Sequence, residues 1–171
     1  GVWKDGDYKP GKRFELPAGV NIYGFTYIDW KDNGQNQLMT FDDKGYLMLY
    51  DNQGQLIWQS DRSFGAPYFS FETATGSTVN PNIKWSVRSR LFAVKTGRGQ
   101  EIIAVDRLPL ASNAPGFGTT GGEVYSLWWN NSAMEEKQLL AGISGTVTDY
   151  MMEGRKVFII VKGSMLTFFK N

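Results

Sequence analysis

Chemistry in this chain must come from carboxylates, amides, Lys, Tyr and backbone, because the sequence contains no His and no Cys. Without His, the usual general base of Ser and Cys hydrolases and the commonest metal ligand are missing. Without Cys there is no thiolate nucleophile, zinc knuckle, disulfide or covalent haem attachment. The catalytic type left open is a carboxylate pair, as in glycoside hydrolysis. Its candidates are Asp42 with Asp43, Asp106, Glu101, and Glu135 with Glu136. Most of these have a plainer reading. Asp42 and Asp43 sit in a turn cluster before Gly45 and read as solvated turn acids. Glu135 and Glu136 read as a solvated face beside Lys137, and Glu101 as a surface partner of Arg98 at the start of a strand. Gly142-Ile143-Ser144-Gly145 lacks the spacing of a nucleophile elbow. Gly116-Phe117-Gly118 and Gly121-Gly122 are not followed by the Gly-Lys-Ser/Thr of a phosphate loop. No catalytic, cofactor-binding or metal-binding residue is therefore assigned, and a non-enzyme is expected.

Binding chemistry is better represented. Six Trp and eight Tyr raise carbohydrate recognition, in which sugar rings stack on exposed aromatic faces. Trp3, Trp30, Trp58, Trp85, Trp128 and Trp129 are spread along the chain; Trp30, in a polar turn, is the one expected to be exposed. Trp128 and Trp129 point to opposite faces of a strand, so at least one of them is expected in the interior. Arg88, Arg90, Lys95 and Arg98 form a locally basic stretch near Trp85 and read as one charged strand face. Lys and Arg total 18 against 17 Asp and Glu, a net charge of +1, so the basic excess of a nucleic-acid binder is lacking. The longest purely apolar run, Val157 to Val161, is far short of the ~20 residues of a membrane-spanning helix.

The elements that must position these residues read as strands. With 171 residues the chain suits one domain, and 15% aromatic with 20 Gly favours strand and turn over helix. Tyr46 to Tyr50 lies between the turn clusters Asp42-Asp43-Lys44-Gly45 and Asp51-Asn52-Gln53-Gly54, with Leu56-Ile57-Trp58 after them. With Asn21 to Ile28 and Leu38 to Phe41 upstream, this is a four-stranded meander read from turn chemistry. The grammar returns over Val87 to Val94, Glu101 to Val105, Val124 to Trp129 and a segment ending at Leu139-Leu140, then over Gly145 to Met151, Val157 to Val161 and Leu166 to Phe169. Ser132 to Glu135 has the pattern of a helix capping box, but the repeat wants an outermost strand there, and the strand is preferred. The connections Ser63 to Pro81 and Pro109 to Gly122, rich in Gly, Pro, Ser, Thr and Asn, show little patterning and read as carriers of function.

A period of roughly 50 to 60 residues carrying four strands suggests propeller blades. The expected fold is all-β: a propeller-like array of about three four-stranded antiparallel blades, with an antiparallel β-sandwich as the alternative. The blade-like units are placed at 21–62, 83–141 and 143–171, with 1–18 as strands of a neighbouring or closing blade.

Asp29-Trp30-Lys31-Asp32-Asn33-Gly34, followed by Gly45 to Tyr50 and Gly54 to Trp58, resembles an FG-GAP/VCBS-type repeat. Gly122 to Trp128 and Ile143 to Tyr150 are similar to later blades of large exported bacterial proteins that carry such repeats. The resemblance implies a bladed propeller, an extracytoplasmic location (periplasmic, outer-membrane-associated or secreted), and a role in binding or assembly. In many members the acidic loop holds calcium, which wants six to eight oxygens around a sharp Gly turn. Here only Asp29, Asn33 and Gly34 match; Lys31 stands where a second acidic ligand belongs, and Gln37 replaces the acid near the loop's end. The preferred reading over Asp29–Gly34 is an Asx-type turn, and no cofactor is expected. Because the chain opens at Gly1-Val2-Trp3-Lys4-Asp5, with no initiator Met or signal sequence, and supplies about three blades, it is expected to be a C-terminal portion of a larger propeller, completed by the remainder of its precursor or by another polypeptide. The expected function is a non-catalytic scaffold for protein–protein assembly. A carbohydrate-binding module using exposed Trp and Tyr is the main alternative, and a carboxylate glycosidase the second.

Overall fold

Short alternating runs closed by Asp, Asn and Gly turns leave the chain little choice but antiparallel meanders. The computed structural model describes residues 2–11, 16–17, 20, 23–67, 69–111, 118–154 and 156–162, with the backbone alone of 164–169. Among the described residues there are strands and turns and no helix, so the protein is all-β.

A small hairpin comes first, β1 (Val2–Lys4) and β2 (Asp7–Lys9), exposed throughout. The first four-stranded sheet follows in chain order: β3 (Phe25–Ile28), β4 (Gln37–Phe41), β5 (Tyr46–Tyr50) and β6 (Leu56–Ser63). Its two central turns share one design. The backbone N–H of Asp42 donates to Tyr46 O at 2.9 Å and that of Asp51 to Gln55 O at 2.9 Å, while each carboxylate accepts from the chain beyond. Gly45 and Gly54 supply the positive φ that closes each turn. A second hairpin pairs β7 (Phe69–Ala74) with β8 (Asn82–Val87). The second four-stranded sheet is again a meander, β9 (Phe92–Thr96), β10 (Gly99–Pro109), β11 (Thr119–Trp129) and β12 (Met134–Ser144). β13 (Val147–Glu153), β14 (Lys156–Val161) and β15 (Ser164–Phe169) make the third sheet.

The three larger sheets stack face to face, and β10 shows how. Its alternate residues Ile102 and Ala104 enter a core with Ile28, Met39, Phe41, Leu47, Leu49 and Leu127, which joins the first sheet to the second. The intervening Ile103 and Val105 enter another core with Val124, Tyr150, Val157 and Ile159, which joins the second sheet to the third. Period-2 alternation thus serves two interfaces at once, and the central strand is buried from Glu101 to Arg107. The first strands of successive sheets also approach one another, β3 against β9 and β9 against β13.

Several expectations are corrected in detail. The 63–81 connection is not without regular structure: Phe69–Ala74 is a strand, and its partner is Asn82–Val87. The strand expected over Val87 to Val94 is therefore divided, Val87 ending β8 and Phe92 opening β9, so the second sheet begins at 92 instead of 83 and runs to 144. Within the 1–18 unit, Val2 to Lys9 forms its own hairpin; the second strand expected there, Arg13-Phe14-Glu15-Leu16, lies outside the described residues except for Leu16. The 132–141 segment is the outermost strand, β12, and not a helix. Of its capping-box residues, Ser132 and Ala133 lie in a turn in which Asn130 Oδ1 accepts from both backbones, and Met134 and Glu135 already open the strand.

Candidate interaction surface

In a meander, alternate turns fall at opposite ends, and the stacking brings turns of like parity together. One end collects the β4–β5 turn, the β6-to-β9 connection, the β10–β11 connection and the β12–β13 link. Hydrogen bonds between these segments show it. Phe64 N donates to Gly45 O at 2.9 Å, Ala66 N to Arg107 O at 3.0 Å, and Gly145 N to Thr120 O at 3.1 Å. Both long connections singled out in the sequence therefore emerge at the same end. The opposite end carries the short polar turns after β3, β5, β9 and β11.

The hairpin β7–β8 dominates the loop-bearing end. Phe69, Phe71 and Thr73 pair across the ladder with Val87, Trp85 and Ile83, so one face is apolar. Phe69 and Ile83 are each 49% exposed. Trp85 is fixed in place: its Nε1–H donates to Thr73 Oγ1 at 2.8 Å, and Phe71 lies nearly parallel to it, ring centroids 6.4 Å apart. Tyr23 meets Phe71 edge-on at 6.1 Å.

Between β8 and the β4–β5 turn runs a groove of about 300 Å³, with Asp42 and Asp43 on one wall and Lys84 and Trp85 on the other. Arg88 closes it at one end. Its guanidinium donates to Gly65 O at 2.5 Å and Asp43 O at 2.9 Å. Burial pulls its pKa below the usual Arg value, against the opposing pull of Asp42 and Asp43. A further cleft of about 430 Å³ opens at the same end, among Pro67, Phe69, Gly118, Thr119, Thr146 and Lys162.

Comparison with protein-family models, with curated proteins and with solved structures finds no match to this chain.

The candidate carboxylates have different environments. Asp42 holds its own turn, accepting from Tyr46 N at 2.8 Å, and lines the groove with Asp43. Glu101 does pair with Arg98, at 3.0 Å, but it is 1% exposed and not a surface residue. Thr96 Oγ1 and Ser126 Oγ also donate to it. Its neighbours turn inward because β10 is covered on both faces, which periodicity along one strand does not reveal. Asp106 and Glu136, far apart in sequence, share Arg62: Asp106 Oδ2 lies 2.5 Å from Nη1, and Glu136 makes an ion pair at 3.5 Å without a hydrogen bond. Burial pushes the Asp106 carboxyl upward, against the pull of Arg62. Glu135 accepts from Asn130 Nδ2 at 2.6 Å.

The degenerate loop is an Asx-type turn. Both oxygens of Asp29 accept backbone N–H groups, from Asn33 at 3.1 Å and Gly34 at 2.6 Å, and Asn33 Oδ1 accepts from Gln35 N at 3.0 Å. Asp32 faces Lys95 at 3.5 Å. These residues do not fit a calcium ion, because the matching carboxylate already holds backbone donors and an ammonium group stands beside the other.

Trp30 and Trp3 fall differently from expectation, whereas Trp128 and Trp129 do lie on opposite faces of a strand with one of them against a core. Trp30 is half-buried against the first core, its Nε1 buried without a hydrogen-bond partner among the described residues, while Trp3 is 61% exposed beside Tyr8. Trp129 packs on the first core, and Trp128, on the other face, lies under the Arg98 guanidinium at 4.0 Å. The basic stretch is not one charged face. Arg88 binds backbone carbonyls, Arg90 forms a two-pronged bond to Asp149 at 2.9 Å, Lys95 faces Asp32, and Arg98 pairs with Glu101. Sequence reasoning missed the hairpin, although Phe69-Ser70-Phe71 and Ile83-Lys84-Trp85-Ser86-Val87 both alternate with period 2. It also missed Arg62, which has no local pattern to announce it.

Proposed function

We propose that this chain is a non-catalytic interaction module: a propeller-type array of FG-GAP/VCBS-like blades working outside the cytoplasm as a scaffold for protein–protein assembly. Successive meander sheets stacked through continuous apolar cores, with first strand beside first strand, support the bladed reading. The observation that carries the functional reading is the gathering of both long connections, one bearing a half-exposed aromatic hairpin, at one end of the rigid stack. Loops that vary without disturbing a packed scaffold are where recognition is best placed. Half-exposed aromatic rings are the side chains that dominate interface energetics.

The test replaces residues 69–87 with a short Gly/Ser linker. The linker variant should melt cooperatively close to the parent, because that hairpin contributes no residue to either core cluster. A partner that purifies with the parent at fixed stoichiometry from its native source should be lost. Retention of that partner at unchanged stoichiometry refutes the proposal.

A further inference from the structure

We propose that the groove between β8 and the β4–β5 turn is a binding site for a neutral oligosaccharide, with Trp85 as the stacking platform and Asp42 and Asp43 as acceptors for sugar hydroxyls. This inference does not depend on the scaffold reading.

Three observations select the ligand class. The first is preorganisation. Trp85 is held by its hydrogen bond to Thr73 and flanked by Phe71, so its ring meets a ligand without first losing freedom. A rigid aromatic ring with a few polar groups beside it is the usual make-up of a small-molecule cleft, and about 300 Å³ is at the small end of that range. The second is charge. Asp42 and Asp43 are balanced by Lys84 and Arg88 around the same groove, so it offers no net field to a phosphate or a polycation. Hydroxyl groups, which both donate and accept, can satisfy carboxylates and cations together. An apolar peptide would bury them unpaired, at a cost. The third concerns the strand edge. Among the described residues β8 pairs as a strand only with β7, and its consecutive residues Ile83 to Ser86 line the groove along its other edge. Lys84 in the middle of that edge is the kind of residue that discourages a further strand from adding. The edge therefore suits hydroxyls better than an incoming peptide strand.

The experiment titrates the whole chain with cello-, laminari-, malto-, manno-, xylo- and chito-oligosaccharides, reading Trp fluorescence and heat. One series should bind saturably at or below about 1 mM. Trp85→Ala should weaken that binding by at least about tenfold, the scale of one lost aromatic contact. Asp43→Asn, in an exposed turn, should also weaken it while leaving the melting temperature unchanged, which separates ligand loss from misfolding. Trp3→Phe should bind as the parent does. The proposal is overturned if no series binds up to about 1 mM. It is equally overturned if binding survives both groove variants, or if only an extended peptide occupies the groove.

Discussion

Gly65 is the residue at which the chain leaves β6 and touches β10 through an isolated parallel bridge to Arg107. Its φ is +69°, and a Cβ there would lie 1.9 Å from Arg107 O. Gly65→Ala should therefore cost about 3 kcal/mol or more in urea unfolding, because strain and a clash with backbone act together. Gly97→Ala, which meets open space at an ordinary φ, should stay within about 0.5 kcal/mol. Tyr125 gives a prediction in pH. Its phenol is pushed up to about 12, first by burial and then by the hydrogen bond it donates to Glu123 at 2.6 Å. The folded value lies above the unfolded one, so the fold holds the neutral form more tightly. That stability is fully present below pH about 10 and is lost as pH rises toward about 12. Tyr125→Phe should show a shallower loss of stability than the parent when unfolding is followed across that window. At this scale the sequence was legible where a residue acts on its own turn. Asp29, Asn33 and Asp42 do what Asx and turn acids do. It named the Arg98 partner of Glu101 but not its burial, and it was silent where a residue acts across sheets, as with Tyr150, whose hydroxyl lies 2.6 Å from Arg90 O and 2.5 Å from Ile103 O.

Between elements, Arg62 joins two sheets through several partners at once. It leaves β6 in the first sheet and lies between the Phe64 and Tyr125 rings, 4.3 Å from each centroid, with Asp106 of the second sheet on its Nη1. Arg62→Ala should destabilise by about 3 kcal/mol, chiefly because Asp106 is left buried without its partner. Arg62→Ala with Asp106→Ala should cost less than the two single changes together, by about 1 kcal/mol or more in a double-mutant cycle. Strict additivity would show that the pair is incidental to the joint between sheets. The elements were mostly readable because turn chemistry and alternation are local. The 69–87 hairpin escaped because its two arms are separated by a Gly, Ser, Thr and Pro turn that reads as unstructured. The outermost strand of the second sheet was the reverse case: its capping pattern favoured a helix, and the repeat correctly outweighed it.

At the scale of the molecule, the two internal interfaces are closed by apolar rows, and the outer faces of the first and third sheets each carry large apolar side chains that are nearly half exposed. Tyr27, Leu38, Tyr50 and Leu56 stand opposite one another across all four strands of the first sheet; Leu38 is buried at 4%, while Tyr27 at the start of the row is 41% and Leu56 at its end 47% exposed. On the third sheet Met151 pairs with Phe158 and Asp149 with Ile160, and Met151 and Ile160 are each 45% exposed. Alternation along a strand marks a face as apolar but does not say what covers it, which is why the stacking order was less legible than the strands. Covering a large apolar side chain is worth about 1.5–3 kcal/mol, so two such faces favour association unless something shields them. The chain should therefore show more than single-chain mass in light scattering at micromolar concentration, or retain a companion of fixed stoichiometry. Tyr50→Lys with Ile160→Lys, one change on each outer face, should reduce it to a single chain while leaving both internal cores and cooperative melting intact. A parent that stays a well-behaved monomer as concentration is raised, without any companion, would remove the physical ground for treating these faces as places where further sheets are added.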